Sequence, residues 1–259
     1  MPTQPQDAFA RMKEAMKAVT GGEISQDNVT ALVNRQGTFF VRTPKGFHMV
    51  RFSTPEEAER EFDTLVKLEE AGVPAPIPSA TMGDLVVVEL VDGVPAVDII
   101  SPRELDDTTS AAILFRREIL EEIAKWLAVL HKAFMRGNET LVKGRADLNN
   151  FLVTDESTIM PIDFGGSSHG KGMEDVGEVV ASILFSEPMF TDLKFGLASG
   201  FVEAYIRHSG IMAPTKVELY TARALRDAST RMPAKREILI EMADWIQKSG
   251  LVEKQMTSD

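Results

Sequence analysis

Cysteine is missing from all 259 residues. That excludes a disulfide framework and any thiolate-held metal centre, and it makes the cytoplasm the default expectation. Long apolar runs are missing too. No stretch nears the roughly 20 uncharged apolar residues of a membrane span, and the longest run, Leu85 to Val91, is strand-sized and contains Glu89. The opening MPTQPQDAFARM carries neither the basic nor the apolar segment of a secretory signal. Basic charge is in deficit, with 28 Lys and Arg against 39 Asp and Glu and a formal charge of −11. Nucleic acid is therefore disfavoured as a partner, because phosphate backbones need a basic face. What is present, 44% hydrophobic and 26% charged residues, describes a globular chain long enough to bury a core.

Hydrophobic spacing organises the chain in two parts. Ala8, Met12, Met16 and Val19 share one face of a predicted helix that stops at Thr20-Gly21-Gly22. From Val29 the segments ALVN, TFFVRT and GFHMVRF read as three antiparallel strands, punctuated by Gln36-Gly37 and Pro44-Lys45-Gly46. Ser53-Thr54-Pro55 opens a helix whose predicted buried face is Ala58, Phe62, Leu65, Val66 and Leu68, with Glu61 beside that stripe. Ala71 to Pro78 is expected to run extended, Thr81 to Asp84 to form a strand or turn, and Leu85 to Val91 to be a buried strand. Composition turns helical near Gly93 to Pro95. Predicted helices follow at Ser110 to Phe134, Met173 to Phe185, from Asp192, at Val217 to Arg231 and at Ile238 to Ile246. The expected architecture is α+β, with residues 1–22 a helical extension, 23–92 a sheet domain and 93–259 a mainly helical domain.

The chemistry concentrates between Gly144 and Gly166. Asp147, Asn149 and Asn150 precede two short apolar runs, Phe151 to Val153 and Ile159 to Ile162, which are separated by the polar turn Thr154 to Thr158 and followed by Asp163-Phe164-Gly165. This pattern predicts a loop, a β-hairpin and a second loop. A hairpin carries its two ends to one place, so the Asn150 amide and the Asp163 carboxylate can meet a single cation. Hard oxygen donors of that kind suit Mg²⁺ carrying phosphates. A competing pattern follows at once: Gly165 to Lys171 reads GGSSHGK, one residue short of a phosphate-binding P-loop. Position 172 is Gly where that motif needs Ser or Thr, and no later apolar strand ends in Asp.

The Asp147, Asn150 and Asp163-Phe164-Gly165 set resembles the protein-kinase-like superfamily, whose members carry a catalytic-loop Asp, an Asn beyond it and a metal-binding Asp in Asp-Phe-Gly. In layout the chain is similar to aminoglycoside and choline phosphotransferases, RIO-type kinases and lipopolysaccharide-sugar kinases. The resemblance implies a two-lobed kinase-like fold: a small antiparallel sheet with one main helix, a mostly helical second lobe, and ATP between them. It implies that Asp147 orients the acceptor hydroxyl and takes its proton, and that Asn150 and Asp163 hold Mg²⁺. Arg51, standing where the family has Lys, would grip phosphate oxygens, and Glu61 would aim it. Gly37 would sit in the turn covering the phosphates, and adenine would bond to main chain from Glu89 to Val91. Asp175 would brace the catalytic loop, while His131 is expected to pack or cap. The segment after Gly165 is too short for a long phosphorylatable loop, which argues against regulation of the protein-kinase type, and the acceptor hydroxyl stays open between a small molecule, a sugar and a protein, with the first two favoured.

Three departures accompany the match. Arg51 stands where the family has Lys, Arg145 occupies the place of the usual His, and Asp147 precedes Asn150 by three residues instead of five, with Leu152 at the fifth position. Either the loop is shortened by two residues or Asp147 is not the catalytic Asp. The functional expectation is correspondingly an ATP-dependent phosphotransferase or, as the alternative, a pseudokinase serving as a nucleotide-binding or interaction module.

Overall fold

The computed structural model describes residues 5–32, 37–101, 109–154, 158–210 and 216–251. The loose start expected over residues 1–6, the end of the first expected strand with its turn at 33–36, and the middle of the hairpin turn at 155–157 lie wholly or partly outside the described residues. The chain divides into two compact units. One runs up to Asp92 and includes Pro161–Ser167; the other holds Gly93–Met160 and the chain from Ser168 onward.

In the first unit, helix α1 (Pro5–Thr20) precedes strands β1 (Val29–Ala31), β2 (Thr38–Thr43) and β3 (Gly46–Phe52), helix α2 (Pro55–Glu70), and strands β4 (Pro78–Met82) and β5 (Leu85–Glu89). The five strands form an antiparallel sheet in the order β1-β2-β3-β5-β4. Side chains alternate across a strand, so the register sorts them by face. Phe39 pairs Val50, which pairs Val87, and these face the α1 residues Met12, Ala15 and Met16 in one apolar core. Phe40 pairs Met49, which pairs Val88, and Thr38 pairs Arg51, so Arg51 points to the face opposite α1.

Helix α2 begins where its sequence dictates. Thr54 caps it by accepting the Glu57 amide at 3.2 Å, Pro55 fills the first turn, and Glu56 and Glu57 complement the helix dipole. Its buried residues are Ala58, Glu61, Thr64, Leu65 and Leu68, while Phe62 and Val66 are half-buried. Glu61 thus lies on the buried stripe, where a charge needs a partner. The last expected strand is shorter than its apolar run, because β5 stops at Glu89. The stretch expected to be merely extended supplies β4 from Pro78, an edge strand where the missing N–H of proline leaves no ladder bond unmade.

The second unit opens with β6 (Val94–Pro95), α3 (Ala96–Ile100) and α4 (Ser110–Ala133), then β7 (Thr140–Val142), a 3-10 turn over Leu148–Asn150, the hairpin β8 (Phe151–Val153) and β9 (Ile159–Pro161), and β10 (Ser168–Gly170). Helices α5 (Met173–Phe185), α6 (Asp192–Ser209), α7 (Val217–Arg231) and α8 (Arg236–Ser249) complete it. β6 joins the hairpin in a sheet ordered β6-β8-β9, and β7 pairs β10 antiparallel. Neither β7 nor β10 was expected: three residues are too few to show a period of two. β10 also overturns the P-loop alternative. Ser168 to Gly170 spend their main chain on a strand ladder, and Lys171 turns to the Asn138 carbonyl at 2.8 Å. The helices pack α4 on α6, α5 on α7 and α7 on α8. Gly177 permits the second contact, since a Cβ there would stand 2.6 Å from the Tyr220 main chain.

Candidate active site

Arg51, Glu61 and Asp163 form one charged cluster in the first unit. The Arg51 guanidinium pairs with Glu61 Oε2, and its Nη1 donates to Asp163 Oδ1 at 2.7 Å. The side chains of Arg51, Glu61 and Asp163 are 14%, 5% and 19% exposed. The two terminal nitrogens of Arg51 each serve one carboxylate, a separation that a single lysine nitrogen lacks. Glu61 also accepts the Phe164 amide through Oε1 at 3.2 Å, and Arg60 donates to the Gly165 carbonyl at 3.1 Å. Helix α2 therefore holds the Asp-Phe-Gly main chain at two points. Asp163 itself has φ of 61°, a left-handed conformation that costs a non-glycine residue about 1–3 kcal/mol and persists only where its surroundings impose it.

Gly37 also has a positive φ, 74°, and a Cβ there would come 3.2 Å from the Phe52 carbonyl oxygen. Glycine is thus required by the turn itself. Of the main-chain groups expected to meet adenine, the Glu89 amide donates to the Ile77 carbonyl at 2.9 Å and the Leu90 amide to Phe47 at 3.3 Å; Val91 is half-buried just beyond. Beside them opens a recess of about 460 Å³ lined by Phe40, Phe47, Glu89, Leu90 and Asp92. The Phe40 and Phe47 rings stack with centroids 5.3 Å apart. Sequence reading missed this pair, although alternation along β2 and β3 puts both on the Arg51 face.

Asp147 and Asn150 meet in the second unit. Asp147 caps the 3-10 turn: its Oδ1 accepts from the Asn149 amide at 2.9 Å and from Asn149 Nδ2 at 2.9 Å. Its Oδ2 accepts from Asn150 Nδ2 at 3.1 Å, and the same nitrogen donates to the Arg145 carbonyl at 3.0 Å. The tight turn is how a three-residue interval keeps Asp and Asn side chains in contact. Arg145, with φ of 50°, follows Gly144, with φ of 59°, so the chain reverses sharply just before Asp147.

Helix α5 supports that loop. Asp175 accepts the Lys143 amide at 2.6 Å and the Gly144 amide at 3.0 Å, as the resemblance implied. It also meets His131 Nε2 at 3.0 Å, while His131 Nδ1 lies 2.8 Å from the Tyr205 hydroxyl. An ionised carboxylate only accepts, so the Asp175 contact is made by an N–H at Nε2. Burial first and Asp175 second push the Tyr205 hydroxyl well above the usual phenol range, which keeps it protonated. His131 is buried and acts as a brace behind Asp175. Two supports escaped the sequence reading: Glu178 Oε2 accepts the Ala146 amide at 2.7 Å, and Ser182 Oγ accepts the Leu148 amide at 3.0 Å. Asp175, Glu178 and Ser182 sit at i, i+3 and i+7, one face of a helix, and this polar stripe in an otherwise apolar segment was the signal that could have revealed them.

Comparison with known proteins agrees with this arrangement. The family model described as the RIO domain matches residues 9–169, well over half of the chain. The chain belongs to the RIO domain family. It is thereby a member of the protein-kinase-like superfamily, with the α+β fold of a kinase-like phosphotransferase family. Among solved structures, the RIO-family chain is similar to an amicoumacin kinase in complex with AMP-PNP and Ca²⁺, with TM-score 0.65 and 11% identity over 97% of each chain. It is also similar to a macrolide 2'-phosphotransferase from Brachybacterium faecium, with TM-score 0.59 and 15% identity over 95% of this chain and 99% of that one. An aminoglycoside-3'-phosphotransferase of type VIII gives TM-score 0.61 and 17% identity over 81% of this chain and 96% of that one. No curated protein matches the RIO-family chain by sequence. Among the described residues, no helix is long and apolar enough to cross a membrane.

Proposed function

We propose that this RIO-family chain is an ATP-dependent phosphotransferase that moves the γ-phosphoryl group to a hydroxyl on a small molecule or sugar. The observation that carries the reading is Arg51, a strand cation joined both to the α2 carboxylate Glu61 and to the Asp-Phe-Gly carboxylate Asp163. Such a cluster aims one guanidinium and one carboxylate with little freedom, as phosphate positioning requires. The donors fit the expected group, since the Asn150 amide and Asp163 carboxylate offer the hard oxygens that Mg²⁺ prefers. A divalent ion held by them would supply charge neutralisation at the phosphates. Asp147, fixed by its turn, would orient the acceptor hydroxyl and accept its proton. Arg51 would hold phosphate oxygens, Gly37 would let the β2 turn approach them, and the recess at Phe40 and Phe47 would take adenine beside the main chain at Glu89 to Val91.

A small acceptor is favoured on two grounds. Only seven residues separate Gly165 from Met173, three of them in β10, which leaves no long segment for protein-kinase style regulation. The similar solved structures include an amicoumacin kinase, a macrolide phosphotransferase and an aminoglycoside phosphotransferase.

The pseudokinase alternative draws support from one contact, the 2.7 Å bond by which Arg51 already neutralises Asp163. Thermal stabilisation by Mg·ATP and ATP turnover separate the two. The phosphotransferase reading expects a Mg²⁺-dependent shift of several degrees that disappears in Asp163→Ala, and turnover that falls at least a hundredfold in Asp147→Asn. A Mg·ATP shift without turnover would support a nucleotide-binding pseudokinase, and no Mg²⁺-dependent shift in the wild type would favour the interaction module.

A further inference from the structure

The residue before Asp147 and the residue after it are each held by a side chain of α5. The Ala146 amide donates to Glu178 Oε2 at 2.7 Å and the Leu148 amide to Ser182 Oγ at 3.0 Å. Two such bonds fix the main chain on both sides of Asp147, and with it the direction of that side chain. Ser182 is a neutral anchor. Glu178 is a charged one, and it sits among like charges: Asp175 on its own helix and Asp147 on the loop, with Lys143 as the opposing cation.

We infer that Glu178 is a positioning residue for phosphoryl transfer, its carboxylate anchoring the Ala146 amide so that Asp147 is aimed at the acceptor hydroxyl. The inference rests on the proposed role of Asp147 and adds to it a residue that the three-residue Asp147 to Asn150 interval makes necessary. A clipped loop has fewer main-chain groups to hold it, and α5 supplies the missing attachments.

The charge of Glu178 separates positioning from simple structural support. Burial, followed by Asp175 and Asp147, raises its pKa from 4.5 to about 7, while the Ala146 bond and Lys143 oppose the shift. The folded-state value is raised, so the stability linked to this group is present below about pH 4.5 and is lost as pH rises through about 7. The ionised carboxylate therefore works against folding at alkaline pH. A residue kept only for stability would be better as glutamine, which offers the same acceptor without the charge.

The test uses the full chain and three variants, Glu178→Gln, Glu178→Ala and Ser182→Ala, with Mg·ATP as the probe. In wild type the Ala146 amide resonance is expected to move with pH through a midpoint near 7, and in Glu178→Gln to stay flat. At pH 8, Glu178→Gln should melt no lower than wild type, yet its turnover should fall about tenfold with KM for ATP within about twofold. Wild-type turnover should rise across the same midpoint, and that dependence should vanish in the Gln variant. Glu178→Ala should lose about a hundredfold, the scale expected for roughly 1 Å of misplacement, and Ser182→Ala should weaken turnover without altering the pH profile. An Ala146 inflection that persists in Glu178→Gln, or a Gln variant with wild-type turnover and pH profile, overturns the inference. A wild type without turnover defeats the phosphotransferase reading instead, and the amide titration then decides by itself whether Glu178 is the anchor.

Discussion

Replacing Arg51 by Ala tests the charged cluster of the first unit most directly. The substitution leaves Glu61, 5% exposed, and Asp163, 19% exposed, without their shared guanidinium. Breaking a fully buried ion pair from one side costs about 3–5 kcal/mol. Asp163 reaches enough water to discount its share, while Glu61 keeps one main-chain donor, the Phe164 amide. The expected loss is therefore about 2–3 kcal/mol, most of it the unpaired Glu61 charge. Arg51→Lys should lose about 1 kcal/mol, because one ammonium serves only one of the two carboxylates well. The double variant Arg51→Ala with Glu61→Gln should recover about 1–2 kcal/mol by removing the stranded charge. Denaturant midpoints at constant slope give these values. The readout must come from the first unit: Trp126 and Trp245 both lie in the second, so fluorescence would report the wrong transition. Hydrogen exchange of the α2 amides across a denaturant series is suitable, because α2 lies in the first unit. An Arg51→Ala protein within 0.5 kcal/mol of wild type, or a double variant no more stable than Arg51→Ala, would refute the account.

Two further perturbations probe the second unit. Gly177→Ala and Gly196→Ala are the same chemical change on two helices with opposite expected signs. The first drives a Cβ to 2.6 Å from Tyr220 and 2.7 Å from the Thr221 amide nitrogen, while the second meets nothing within 4 Å. Gly177→Ala should cost about 1–3 kcal/mol or more through overpacking, and Gly196→Ala should gain about 0.5–1 kcal/mol of helix propensity; melting temperatures decide. Lys194 is fully buried, with Nζ donating to the Ile100 carbonyl at 2.8 Å and to Ser186 Oγ at 2.5 Å. Burial, then Arg116, lowers its pKa from 10.5 to about 8, so between those values the unfolded chain binds more protons and stability rises with pH. The wild type should gain up to about 3 kcal/mol relative to Lys194→Met between pH 8 and 10.5, and equal slopes in the two proteins would contradict this.

Taken alone, the order of residues determined the alternation of β2 and β3, the capped start of α2 at Thr54-Pro55, the helix Met173 to Phe185 and the hairpin that separates Asn150 from Asp163. These are local facts: side-chain period, caps and turn residues act within a few positions of one another, and each is written in the chain. The family resemblance was legible for the same reason, because its motifs are short. Partnership was not legible. Arg51 and Glu61 read equally well as a strand-end cation and a surface carboxylate until β3 and α2 brought them together, and the three-residue Asp147 to Asn150 interval looked like a defect until the 3-10 turn closed it. The β7–β10 ladder, the Phe40–Phe47 stack and the grip of Glu178 and Ser182 on the loop were decided only by the tertiary structure. The ladder and the grip depend on groups far apart in sequence arriving within a few ångströms, and the period along a strand or helix shows which face a side chain takes but not what it meets there.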